Sequence, residues 1–142
     1  MTTTTVNGQI IGQAHYATRA VLESLLARSG TTFHQAVALN ATADGDGATK
    51  RALTDRMTST LKIDAETAEA AVDSLIADGL LADTGSRLEL TASGRARQDG
   101  IRTGTARIAA GLYADLPAED LAAAGRVLTV LTERANAVLA AG

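Results

Sequence analysis

Along most of the chain apolar residues return every three or four positions, and in one short stretch they alternate, so the pattern predicts helices interrupted by a single hairpin. From Gly8 to Arg28 a stripe of Ile10, Ile11, Ala14, Val21, Leu22, Leu25 and Leu26 alternates with Gln13, Arg19, Glu23 and Arg28. This predicts a long first helix, stopped at Ser29-Gly30. Thr31 or Thr32 is placed to cap a second helix carrying Phe33, Ala36, Val37 and Leu39. From Asn40 to Gly47 periodicity gives way to turn-forming residues, which predicts a surface loop.

Ala48 to Leu61 restores a helical pattern through Leu53, Met57 and Leu61, with Lys50, Arg51, Arg56 and Lys62 on or beside it. A tight turn through Ile63 follows, and Asp64 stands where it caps a fourth helix, Ala65 to Asp78, that buries Ala68, Ala71, Val72, Leu75 and Ile76 before Gly79. Leu80 to Asp83 and Arg87 to Leu90 read as two strands around Thr84-Gly85-Ser86. A fifth helix opens at Thr91-Ala92-Ser93-Gly94 and is expected to reach about Leu116, although Gly100, Gly104 and Gly111 each weaken it by about 1 kcal/mol relative to Ala. Pro117 fits the first position of a last helix capped near Leu116, with Glu119 and Asp120 in its first turn. Leu121, Ala124, Leu128, Leu131, Ala135 and Val138 then recur almost to the C-terminus. So much apolar surface on a terminal helix asks for a partner, and a two-fold copy of the same chain is the simplest one.

Composition narrows the chemistry. The 142 residues suffice for one compact domain plus long helices buried by a partner. Aromatic residues are limited to Tyr16, Phe33 and Tyr113, so the core must be built from Ala, Leu, Val and Ile in closely packed helices. Cysteine is absent, which removes disulfides, thiolate catalysis and cysteine-held metals. A net charge of -3 gives no global attraction to nucleic acid, so any such function must rest on local charge. No apolar run nears the roughly 20 residues that span a bilayer. The Met-Thr-Thr-Thr-Thr start lacks the basic and apolar regions of a signal peptide, so a cytoplasmic location without membrane contact is expected. Gly45-Asp46-Gly47 has neither the spacing nor the framing of a phosphate loop, His15 and His34 are too few for a metal site, and no nucleophile-base-acid set is legible. No cofactor is called for, and an enzyme is the less favoured reading.

Three segments in order carry a resemblance to the MarR family. Thr67 to Leu81 resembles that family's recognition helix with its closing glycine and the entry to its wing. Leu90-Thr91-Ala92-Ser93-Gly94-Arg95 looks like its Leu-Thr-x-x-Gly exit from the wing, and Leu116-Pro117-Ala118-Glu119-Asp120-Leu121 looks like the segment before its dimer helix. The resemblance implies an all-α fold with a small β-hairpin wing: a dimeric winged helix-turn-helix protein. Residues 31–100 would form the winged domain, and residues 1–30 and 101–142 the helical dimerisation region.

It also implies a transcriptional regulator that binds double-stranded DNA as a homodimer and responds to a small aromatic or anionic effector. Lys50, Arg51, Arg56, Lys62 and Arg87 are then the candidate phosphate contacts, with Glu66, Thr67, Glu69 and Ala70 on the helix facing the groove. The helix from Asp64 to Asp78 carries five carboxylates and no Lys or Arg, and the wing retains one arginine. Arg95, Arg97, Arg102 and Arg107 follow the wing. His15, Tyr16, Arg19, Phe33 and His34 gather near the junction of the first two helices and are the candidate effector contacts. The acidic helix leaves open a second reading: a MarR-like dimer that has lost DNA binding and binds or transforms a small molecule in that junction.

Overall fold

The computed structural model describes residues 4–45 and 48–142. Six helices and one hairpin follow in the order α1 (Gly8–Ala27), α2 (Phe33–Asp44), α3 (Lys50–Leu61), α4 (Ala65–Ala77), β1 (Leu81–Asp83), β2 (Leu88–Leu90), α5 (Ala92–Leu112) and α6 (Ala118–Ala141). They form two compact units, Met1–Ala106 and Arg107–Gly142, with the divide inside α5.

Each helix of the first unit begins where a short polar side chain can take an orphan backbone N–H. Asn7 caps α1 by accepting from the Ile10 N–H, and Thr49 caps α3 by accepting from Ala52. At α2 the Thr32 hydroxyl accepts from the Gln35 N–H while the Gln35 side chain accepts from the Thr32 N–H, a reciprocal capping box. Of the two candidate caps, Thr32 serves; Thr31 is buried and accepts from the Arg97 guanidinium instead.

The core gathers Leu26 of α1, Ala38 and Leu39 of α2, Leu53 and Met57 of α3, Ala68, Val72 and Leu75 of α4, Leu81 and Leu88 of the hairpin, and Ile101 of α5. The strands pair antiparallel with Leu81 opposite Leu90 and Asp83 opposite Leu88. The Leu88 N–H also donates to the Ala48 carbonyl at 2.9 Å, which ties the segment before α3 to the wing. Two glycines are demanded by close packing. A Cβ at Gly94 would overlap the Leu80 carbonyl, and one at Gly104 would press on the Leu25 methyls at 2.8 Å. Gly104, a weakness for the helix alone, is what lets α1 lie against α5.

Three expectations are corrected. The loop expected from Asn40 is helix through Asp44, because Ala41 packs on the core and the Thr42 hydroxyl bonds back to the Ala38 carbonyl; Asp46 and Gly47 lie outside the described residues. The fifth helix stops at Leu112, short of Leu116, with Asp115 in the left-handed region at φ 64. Pro117 disfavours helical geometry at Leu116, so α5 does not run on into α6. Pro117 itself is the residue preceding α6, one position earlier in the helix than expected.

The second unit is a contrast in packing. None of the residues of α6 is buried, and Leu121, Val127, Leu128, Val130, Leu131, Val138 and Leu139 are all exposed. Among the described residues no helix is long and apolar enough to cross a membrane.

Candidate nucleic-acid interface and effector junction

α3 and α4 pack on each other through Leu53, Met57, Ala68 and Val72, joined by a turn in which Lys62 takes the left-handed conformation at φ 58. The turn is closed by the Lys62 N–H on the Thr58 carbonyl, and the Lys62 ammonium donates to the Ser59 carbonyl at 2.7 Å. Asp64 then starts α4: its carboxylate accepts from the Thr67 N–H at 2.7 Å. Hydrogen bonding to Thr67 holds the Asp64 carboxyl below the usual carboxylate range.

With its apolar stripe turned inward, α4 exposes Glu66, Glu69, Ala70 and Asp73, and Thr67 is half-buried beside them. The outward face expected from spacing is therefore the one observed, and it is acidic. Lys50, from the first turn of α3, reaches across to Asp73 in an ion pair, and that hydrogen bond raises its pKa. Arg51 is 92% exposed and stands 4.0 Å from Asp55. Lys50, Arg51 and Glu69 line one recess between the two helices, of about 530 Å3. Arg56 lies elsewhere on α3, beside Asn40, Asp44 and Thr60 at a recess facing α2. At the wing, the Thr84 N–H and hydroxyl both donate to the Arg87 carbonyl, and the Gly85 N–H donates to the Asp83 carboxylate. The Arg87 guanidinium pairs with Glu89 at 2.9 Å.

At the α1–α2 junction, the Arg19 guanidinium sits over the Phe33 ring at 4.1 Å from its centroid while donating to Glu23. Phe33 and His34 are half-buried and meet edge to face. His15 and Tyr16 lie one turn earlier on α1 and make their own edge contact, with Tyr16 72% exposed. Arg19, Phe33 and His34 thus come together, and His15 and Tyr16 face outward. The Lys50–Asp73 pair escaped sequence reasoning, because only the crossing of α3 over α4 joins positions so far apart. The Leu-Thr-x-x-Gly segment carries a structural role legible afterwards: the Thr91 hydroxyl donates to the Gly79 carbonyl at 2.6 Å and accepts from the Gly94 N–H, locking α5 to the end of α4.

Two helices joined by a tight turn, the second exposing one face beside a hairpin, define a winged helix-turn-helix protein. The chain belongs to a helix-turn-helix family whose model matches residues 17–142. No curated protein matches it in sequence. Its fold is that of MarR-family structures. The MarR family protein Rv2887 of Mycobacterium tuberculosis in complex with DNA is 20% identical, with a TM-score of 0.71 over 90% of this chain and 98% of that one. The reduced form of MarR from E. coli is 18% identical, with a TM-score of 0.70 over 91% and 95%. CouR of Rhodococcus jostii RHA1 bound to p-coumaroyl-CoA is 16% identical, with a TM-score of 0.73 over 87% and 89%.

Proposed function

We propose that the protein is a homodimeric transcriptional regulator, acting on double-stranded DNA in the cytoplasm and responsive to a small aromatic or anionic effector. The observation that carries this reading is the pairing of a capped, outward-facing α4 with a wing on a helix-turn-helix core. Insertion of α4 into the major groove presents Glu66, Thr67, Glu69 and Ala70 to base edges, where a carboxylate accepts from cytosine N4. Arg51, Lys62 and Arg87 supply phosphate contacts around it, Arg56 stands on the α2 side, and Lys50 neutralises Asp73 so that one fewer charge opposes the backbone. The terminal regions, residues 1–30 and 101–142, form the dimer. The exposed apolar stripe of α6 supports this, since a helix without a buried face is marginal in water. Dimerisation also doubles the dispersed arginines along one face. An effector at Arg19, Phe33 and His34, with His15 and Tyr16 at the rim, acts by favouring one spacing of the two α4 helices over another.

One observation favours the second reading, a dimer that uses the junction for a small molecule alone. The outward side of α4 has no cation of its own, and both Lys50 and Arg87 are held by carboxylates. Fluorescence anisotropy decides between the two, with duplexes from beside the coding region and a random control over a salt series. A regulator binds selectively, and log affinity falls with log salt by about 0.9 per phosphate neutralised. Arg87→Gln then weakens operator and random DNA alike and lowers that slope, whereas Glu69→Gln changes the preferred sequence. Absence of binding at low salt by a verified dimer overturns the regulator and leaves the junction as the site.

A further inference from the structure

A recess lies at the foot of the wing. Its walls are β2, the C-terminal end of α2 and one face of α5, and it encloses about 640 Å3. Three arginines line it: Arg87 from the wing, and Arg95 and Arg102 two turns apart on α5. Two carboxylates line it as well, but each is already engaged, Glu89 by Arg87 and Asp99 by Arg102, both at 2.9 Å. Arg95 has no acidic partner among the described residues. Gln98, between the two α5 arginines, is 5% exposed and donates its amide to the Asn40 side chain, which joins the α5 wall to α2.

The position of Arg95 is unfavourable for the helix itself. It stands in the first turn of α5, at the positive end of the helix dipole, where an acidic residue is stabilising. The two carboxylates of the recess are taken by Arg87 and Arg102, so the described lining keeps one uncompensated positive charge, that of Arg95. An anion in the recess does offset it, and guanidinium forks suit the paired oxygens of a carboxylate or phosphate.

We infer that this recess binds a small oxyanion, a carboxylate or phosphate, with Arg95 as the principal contact and Arg87 and Arg102 as flanking donors. The recess is concave, walled by wing, α2 and α5, which suits a small molecule better than the rounded backbone of a duplex. It shares no residue with the Arg19–Phe33–His34 junction, and the inference stands whether or not the protein binds DNA.

Titration calorimetry of the full-length protein tests it, using sodium pyrophosphate and sodium benzoate separately, with ionic strength held constant by chloride. The expected result is saturable binding of at least one probe, weakened about tenfold by Arg95→Gln, the loss of one charge-assisted hydrogen bond. Arg95→Lys restores part of that affinity, and Arg126→Gln on α6 leaves it unchanged. Absence of saturable binding by both probes overturns the inference, as does equal weakening in the Arg95 and Arg126 variants, which would mean general screening. If Arg95→Gln lowers affinity for a random duplex as much as for pyrophosphate, Arg95 is a DNA backbone contact and the small-molecule site is rejected.

Discussion

The two compact units have similar amphipathic sequences and opposite fates. In Met1–Ala106 the apolar faces of α2, α3, α4 and the hairpin converge with the C-terminal end of α1 and Ile101 of α5, and Leu26, Leu39, Met57, Val72, Leu75, Leu81 and Leu88 leave almost no surface exposed. In Arg107–Gly142 the stripe of α6 is equally regular, and none of it is buried. Regular apolar spacing therefore says that a helix will bury a face, without saying whether its partner belongs to the same chain. On the proposed dimer a second copy covers α6, and isologous association lets one stripe serve both molecules.

The largest expected effect follows from that difference. On the proposed dimer, Leu131→Glu in α6 removes an apolar contact from each protomer and places a carboxylate in the interface. The transfer term alone is about 1.5–3 kcal/mol per leucine, counted twice, so the dimer weakens by about a hundredfold or more. Sedimentation at graded concentrations should show a monomer where the parent is dimeric, with near-unchanged helicity in the winged unit. A parent that is itself monomeric at all concentrations would end the comparison in favour of a free α6.

Next in size is Leu75→Ala, in the middle of α4 with no exposed surface. A cavity in this small aliphatic core costs about 2–5 kcal/mol. Urea denaturation should show the loss at every protein concentration, whereas the effect of Leu131→Glu depends on concentration, since only the dimer feels it. If both losses vary with concentration alike, the two units do not separate as the packing indicates.

The features legible in the sequence were those governed by neighbours. Spacing identified the buried and exposed sides of α4, Asp64 announced its start, and Thr84-Gly85-Ser86 marked the wing. Features that depend on distant residues were hidden. The loop expected after Leu39 is helix because Ala41 finds the core and Asn40 finds Gln98, and neither partner is visible from positions 40 to 44. Likewise Lys50 belongs to Asp73 only once α3 crosses α4. Arg56, grouped by sequence with the other α3 cations, turns towards α2 instead. Charge counted along the chain thus overstated the basic surface beside α4. The acidity of α4 itself was read correctly, because it is a property of one helical face.

The smallest expected effect contrasts the starts of α4 and α6. Asp64 caps α4 with a titratable carboxylate, whereas α6 begins after Pro117 with no side-chain cap. The Asp64 pKa is lowered in the folded protein by its hydrogen bonding to Thr67, so folding favours the charged form. The cap's contribution is therefore complete above the ordinary carboxylate pKa and is lost as pH falls through the lowered folded value. Amide exchange at Thr67 should quicken as pH is taken from about 5 to about 2, relative to intrinsic rates, while the start of α6 loses no cap. Asp64→Asn keeps an accepting oxygen without a titrating group, so it should retain the cap and flatten this acid dependence. The same acid loss in Asp64→Asn would mean that another group unfolds α4 first. A flat profile in the parent would mean that the Thr67 hydrogen bond does not hold the helix start in solution.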